Sequence, residues 1–157
     1  MFEAGIIRTI SPSDLNQLVE IEQICFHKHT AYSRRQLKYL ITKAKSICLA
    51  ECYQQTLRGF IIVTFRGDGR VAGIETLNVD PLYRGKGIGK KLLAAAEENM
   101  FYQGLKKLKL EVSMGNHRAI ALYEKSGFRR VSILKNYYWY RHHGTRNAYQ
   151  MIKKLTT

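Results

Sequence analysis

The stretch Asp80–Glu98, DPLYRGKGIGKKLLAAAEE, decides how the rest of the chain is read. Gly85, Gly87 and Gly89 alternate with Lys86 and Ile88, and a strong helix-forming run begins directly behind them. A helix start leaves several amide hydrogens without partners and carries partial positive charge. Glycines ahead of it let the main chain approach a phosphate closely. Arg84, Lys86, Lys90 and Lys91 would neutralise such a group. The local physics favours an anion; a tight turn with basic decoration is the plainer reading. Spacing rules out two phosphate motifs. A Walker loop needs four residues between its glycines and a hydroxyl residue after its lysine, whereas three residues separate Gly85 from Gly89 and Lys91 follows Lys90. A dinucleotide fingerprint needs G-x-G-x-x-G in a βαβ unit, and this loop reads G-x-G-x-G after a hairpin strand.

On the N-terminal side, AGIIRTI (4–10) reads as a strand. Leu15, Leu18, Val19, Ile21 (or Glu22) and Cys25 fall at helical spacing, with Ser11 or Ser13 as a cap. A His-rich loop, HKHTAYS, leads to a second helix, RRQLKYLITKAK, with Leu37, Leu40 and Ile41 on one face and Ser33 as its cap. SICLAECYQ and LRGFIIVTFR are strands; the turn signal GDG makes VAGIETLNV a hairpin partner that Pro81 ends. Behind the loop, a helix over about 90–103 closes near Gly104, and KKLKLEVSM alternates through Leu108, Leu110 and Val112 as a strand. NHRAIALYEKSG is a short helix between a capping Asn116 and Gly127, and FRRVSILKNYYWY and NAYQMIKKL complete the sheet. The order β-α-α-β-β-β-α-β-α-β-β predicts a mixed α/β sheet of about seven strands, largely antiparallel, flanked by about four helices.

The 157 residues are expected to form one domain, 1–157, large enough to bury a core without disulfides or metals. No apolar run approaches the ~20 residues of a membrane span. MFEAGIIRTISPSD lacks the features of a secretory signal, so the cytoplasm is the expected location. Cys25, Cys48 and Cys52 match no zinc spacing and read as thiols, and scattered loop histidines (His27, His29, His142, His143) read as solvated; no metal is expected. The excess of 26 Lys+Arg over 12 Asp+Glu, a formal +14, implies a polyanionic partner: a phosphorylated cofactor, nucleic acid or an acidic protein surface.

LNVDPLYRGKGIGKKLL resembles the acetyl-CoA signature of the GNAT acetyltransferases, R/Q-x-x-G-x-G/A, through Arg84, Gly87 and Gly89. LEVSMGNHRAIALYEKSGF and NYY…NAYQMIKKL resemble the RimI-type N-terminal acetyltransferases, so the resemblance spans residues 4–155. It implies the GNAT fold and an acetyl-CoA-dependent transfer to a primary amine, with the N-terminal α-amine of a protein as the leading acceptor. A small amine or a lysine side chain is the alternative, and a non-catalytic nucleic-acid-binding module the competing class. By the same resemblance, Arg84, Gly85, Lys86, Gly87, Ile88, Gly89 and Lys90 hold the diphosphate of acetyl-CoA. Backbone groups of Leu77, Asn78 and Val79 take the pantetheine arm and the acyl oxygen, with Asn116 also on the arm. Tyr123, seven residues beyond Asn116 on the same helix face, is the proton donor to the departing thiol, against a plain reading as a core aromatic.

Glu111 is the general base of this reading and Glu75, on the strand before the loop, its rival. Leu110 and Val112 point away from Glu111, so a cleft-facing, partly desolvated carboxylate would gain basicity. Tyr32 (with Ser33), Tyr137 and Tyr138 match the acceptor-binding aromatics of the RimI type, unless they are exposed strand residues. Departing from that pattern, Arg141, His142, His143 and Arg146 would make a cationic rim that disfavours polyamines and Lys-rich tails. The rim suits an acidic or neutral N-terminal peptide, or association with a ribosome through the basic surface.

Overall fold

The computed structural model describes residues 2–26, 29–66 and 69–156. Seven strands and four helices follow in the expected order: β1 (Ile6–Thr9), α1 (Leu15–Cys25), α2 (Arg34–Thr42), β2 (Ser46–Tyr53), β3 (Thr56–Phe65), β4 (Val71–Val79), α3 (Ile88–Tyr102), β5 (Lys107–Ser113), α4 (His117–Lys125), β6 (Arg129–Leu134) and β7 (Ala148–Lys154). The strands form one sheet in the order β1-β2-β3-β4-β5-β7-β6. Every neighbouring pair is antiparallel except β4–β5.

Alternation along the strands fills both faces. Ile61, Val63, Ala72, Ile74, Leu108, Leu110, Val112 and Met151 join Leu92, Leu93, Ala96 and Met100 of α3 in one core. Cys48, Ala50, Phe60 and Ile62 join Leu18, Ile21, Leu37 and Leu40 of α1 and α2 in the other. The helix ends follow from local chemistry. The Ser33 hydroxyl accepts Gln36 N at 3.1 Å and Gln36 Oε1 accepts Ser33 N at 2.8 Å, a reciprocal cap on α2. Asn116 Oδ1 accepts Ala119 N at 3.2 Å at the start of α4. Between Ser11 and α1 lies a short 3₁₀ turn, Pro12–Asp14, where Asp14 accepts Ser11 N and pairs with Arg8 at 2.8 Å.

Two irregularities in β4 create the site. Ile62 pairs with Thr76 but Val63 pairs with Ile74, so Glu75 is an extra, bulged residue. Ile74 faces the α3 core while Thr76 reaches α1, so the bulge lets Glu75 and Thr76 serve the α1/α2 face together. Secondly, β4 pairs with β5 only at Val71↔Lys107, Ala72↔Leu108 and Gly73↔Lys109, whereas β5 follows β7 on to Ser113↔Ala148. Beyond Gly73 the two strands splay, leaving an open β4 edge at the carboxyl ends of a parallel pair.

The aromatic run NYYWY departs from its expected strand. β6 ends at Leu134, Asn136 takes a left-handed φ of 52°, and residues 137–140 form an irregular loop. The first strand is shorter than expected, and α3 starts two residues earlier, at Ile88. Gly67 and Asp68 of the expected GDG turn, and His27, lie outside the described residues. No helix among the described residues is long and apolar enough to cross a membrane.

Candidate active site

The glycine loop opens with Asp80, whose carboxylate accepts Leu82 N at 3.0 Å and sets a 3₁₀ turn, Pro81–Tyr83. Gly85 and Gly87 then take φ of 78° and 83°, a region that side chains disfavour. A Cβ at either would meet nothing within 4 Å, so the loop faces open space. Gly89 is small for another reason: a Cβ there would lie 3.2 Å from Leu122 of α4. The first helical bond of α3 is Lys91 N to Gly87 O at 3.0 Å, which leaves the amides of Ile88, Gly89 and Lys90 directed at the loop's open side. Lys86 and Lys90 project from it, while Lys91 Nζ donates to Gly5 O at 2.9 Å. Arg84 is turned inward. Its Nε donates to Val79 O at 3.0 Å and its Nη2 lies 3.3 Å from Cys25 Sγ, tying the loop to β4 and α1.

Next to the loop runs the open edge of β4. Asp80 N donates to Arg58 O of β3 at 2.9 Å, so by strand alternation Leu77 and Val79 turn their backbone groups to the opposite, splayed side. The Val79 carbonyl is taken there by Arg84 and by the Cys25 thiol at 3.4 Å. The side chain of Asn78 points elsewhere: Nδ2 donates to Glu22 at 2.8 Å and to Thr76 Oγ1 at 2.9 Å.

A cavity of about 860 Å³ opens at this splay, lined by residues of both faces. Glu111, Tyr123, Asn116, Leu77, Glu75, Tyr32, Tyr137 and Tyr138 all line it. Asn78, Val79 and the glycine loop lie outside its lining, at the carboxyl end of β4. Glu111 projects from β5 between buried Leu110 and Val112, and no described residue hydrogen-bonds its carboxylate. Burial raises its pKa, Lys109 opposes the rise, and Glu75 adds to it. Glu75 is engaged on both oxygens, by Tyr32 Oη and by Thr64 Oγ1, each at 2.6 Å. Tyr123 is buried with its ring edge-on to Phe128 at 5.7 Å, and burial raises its pKa far above neutrality. Its hydroxyl has no protein partner among the described residues and keeps its proton at neutral pH.

The sequence did not single out Glu22. It is 1% exposed on α1, and its carboxylate accepts Thr76 Oγ1 at 2.9 Å, Asn78 Nδ2 at 2.8 Å and Tyr32 N at 3.0 Å. Burial raises its pKa and the three donors oppose the rise. Glu22 and Glu75 thus hold Tyr32 by its amide and its hydroxyl. The only trace of this in the sequence is an acid on the apolar stripe of α1.

The loop after β6 roofs the cavity. Tyr137 and Tyr138 meet edge-to-face at 5.0 Å, His29 stacks on Tyr140 at 4.1 Å, and Phe26 meets His142 edge-on at 5.5 Å. His142, expected to be solvated, is 6% exposed. Gly115 has no room for a side chain, because the His143 carbonyl fills the space beside it. The cationic rim is also placed differently from expectation: Arg141 donates to Gly144 O at 3.0 Å and Arg146 to Tyr138 O at 2.8 Å, so both stiffen their own loop. Cations line the cavity's other end instead, as Lys45, Arg66, Arg70 and Lys109. Cys48 and Cys52 are buried free thiols, and no metal-binding cluster of His, Cys, Asp or Glu occurs among the described residues.

Comparison with known proteins agrees with this geometry. The acetyltransferase (GNAT) family matches residues 15–128. A [ribosomal protein bS18]-alanine N-acetyltransferase from Haemophilus ducreyi is 34% identical over 137 residues, 85% of this chain and 88% of its own. The crystal structure of the ribosomal-protein-S18-alanine N-acetyltransferase from Escherichia coli superimposes with a TM-score of 0.85 at 26% identity, covering 98% of this chain and 95% of that one. Ard1 from Thermoplasma volcanium gives a TM-score of 0.86 at 26% identity, over 99% of this chain and 100% of its own. On the matched residues, the fold and the glycine loop together, the chain belongs to the GNAT acetyltransferase family.

Proposed function

We propose that this protein is an acetyl-CoA-dependent N-acetyltransferase that modifies the N-terminal α-amine of a protein by direct attack in a ternary complex. One observation carries the reading: the Glu111 carboxylate and the Tyr123 phenol, neither hydrogen-bonded to a described residue, line one cavity where β4 and β5 splay.

The residues present fit acetyl-CoA, which supplies an acyl group activated as a thioester. The open amides of Ile88, Gly89 and Lys90, with Lys86 and Lys90, suit the diphosphate. The open backbone of Leu77 offers strand-like hydrogen bonds to an extended arm, and Val79, whose carbonyl Arg84 already occupies, offers its amide as a donor to the acyl oxygen. Asn116 borders the same channel. Arg84 acts here by anchoring the loop to Val79.

Glu111 takes the proton from the incoming ammonium, directly or through water. A base buried enough to have a raised pKa is better matched to that task than an ordinary carboxylate. Glu75 is less suited, because both its oxygens already accept hydroxyl hydrogens. The Tyr123 hydroxyl provides the proton for the departing sulfur. Tyr32, Tyr137 and Tyr138 frame the acceptor's first residues. The kinship with bS18-alanine N-acetyltransferases supports a protein N-terminus as acceptor, and fits a cytoplasmic enzyme near ribosomes.

The test is incubation with acetyl-CoA and a panel of N-terminal peptides, N-terminally blocked lysine peptides and small amines, measuring released thiol and locating the acetyl group by mass spectrometry. The reading expects acetyl on the α-amine of unblocked peptides. Transfer confined to lysine side chains or small amines would overturn it.

A further inference from the structure

We propose that the acceptor of this enzyme is an N-terminal segment carrying acidic residues at about its third to fifth positions, bound in a cationic trough made by Lys45, Arg66, Arg70 and Lys109. The proposal rests on the N-terminal acetyltransferase reading and adds a substrate class to it.

The cavity is electrically polar along its length. Its lining carboxylates, Glu22, Glu75 and Glu111, gather where β4 and β5 have splayed; its lining cations gather where the strands still pair. Lys109 precedes Glu111 by two residues on the same face of β5, about 7 Å away at the usual rise of a strand. Its stem lies across Gly73, with Cε 3.7 Å from where a Cβ would stand. The Arg70 carbonyl accepts Lys106 N at 2.8 Å and Lys107 N at 3.1 Å, which puts Arg70 beside the start of β5, about 13 Å from Glu111. Lys45 joins from just before β2, its carbonyl accepting Phe65 N at 3.1 Å and its ammonium 5.3 Å from the Phe65 ring, and Arg66 follows Phe65 directly. Among the described residues, none of these four cations has a carboxylate within 4.0 Å.

A chain whose ammonium enters beside Glu111 and Glu75 and runs along β5 passes over this trough. An extended peptide advances about 3.3–3.6 Å per residue, so the cations at 7–13 Å stand beside about the third to fifth residues. Carboxylates there meet positive charge that no described carboxylate pairs within 4.0 Å, Glu111 drawing only on Lys109 and from farther off, whereas lysines or arginines meet like-charge repulsion. The acceptor's own ends, ammonium first and carboxylates after, mirror the cavity's polarity.

The experiment uses three peptides with a common first and second residue and Glu, Gln or Lys at residues 3–5. The expected order of kcat/KM is Glu above Gln above Lys, with about tenfold between neighbours at low salt and convergence at high salt. In K45A/R70A the Glu-over-Gln preference collapses. Equal rates, a preference for Lys, or a preference that survives in K45A/R70A would each overturn the trough while leaving N-terminal acetylation in place. Failure of all three peptides, with acetyl-CoA bound but not consumed, would instead remove the N-terminal acetyltransferase reading and the trough with it.

Discussion

Replacing Glu111 by Gln tests its proposed role as the base, because no hydrogen bond to a described residue gives this side chain another task. No described residue hydrogen-bonds it, so the amide breaks no contact and leaves no buried partner exposed. A positioned general base contributes about 10²- to 10⁴-fold, and kcat/KM for an N-terminal peptide is expected to fall by at least about 10²-fold. The pH profile separates base from scaffold. In the wild type, activity falls as pH drops through the raised pKa of Glu111, giving an acid limb above the ordinary carboxylate range. A second dependence comes from the amine itself, whose reference pKa is about 7.7–8.0. E111Q keeps the amine's dependence and loses the carboxylate's. Stability moves the opposite way. A folded-state pKa above the unfolded value means that ionising Glu111 opposes folding, so this contribution weakens wild-type stability as pH rises through that range. E111Q lacks that slope and melts at the same temperature or slightly higher at neutral pH. Steady-state kinetics across pH and thermal melts of both proteins make the test. A wild-type rate in E111Q with the acid limb intact would refute the assignment.

Tyr123→Phe is expected to lower kcat by about 10²-fold with acetyl-CoA affinity unchanged by calorimetry, since its hydroxyl bonds no described residue; an unaltered kcat would remove it as the acid. Tyr32→Phe leaves Glu75 with Thr64 alone, and should raise the peptide KM and cost about 1 kcal/mol in urea unfolding. An unchanged KM would show that Tyr32 does not position the acceptor. Arg58→Ala removes the partner of Glu51, both nearly sealed from water, where Nε and Nη2 bond the carboxylate at 2.8 and 2.6 Å. Orphaning that carboxylate should cost about 3–5 kcal/mol, with the melting point falling by about 10 °C; a shift of a degree or two would mean that the pair contributes little.

Much of this was legible where one element specifies itself. Alternation through Leu108, Leu110 and Val112 gives β5 and turns Glu111 to the other face. Ser33 marks the start of α2, and the glycine loop places the start of α3 to within two residues. What escaped depends on distant partners. Glu22 falls on the apolar stripe of α1 with nothing in its own segment to explain it; Thr76 and Asn78, 54 and 56 residues away, supply donors to it. The bulge at Glu75 and the insertion of β7 between β5 and β6 are properties of strand pairing, which alternation within one strand does not encode. NYYWY has strand-like composition, yet the left-handed turn at Asn136 and the Arg146–Tyr138 contact make it a roof. The cationic lining escaped because Lys45, Arg66, Arg70 and Lys109 come from four different segments, three of them strand ends.

The central claim is that the amides from Ile88 to Lys90 hold a diphosphate and thereby lay a thioester along the open edge of β4. A crystal structure with acetyl-CoA tests it most directly. The account predicts the diphosphate on those amides, the arm between β4 and β5, and the sulfur within reach of the Tyr123 hydroxyl. A cofactor bound elsewhere, or a splay left empty at saturating acetyl-CoA, would contradict it.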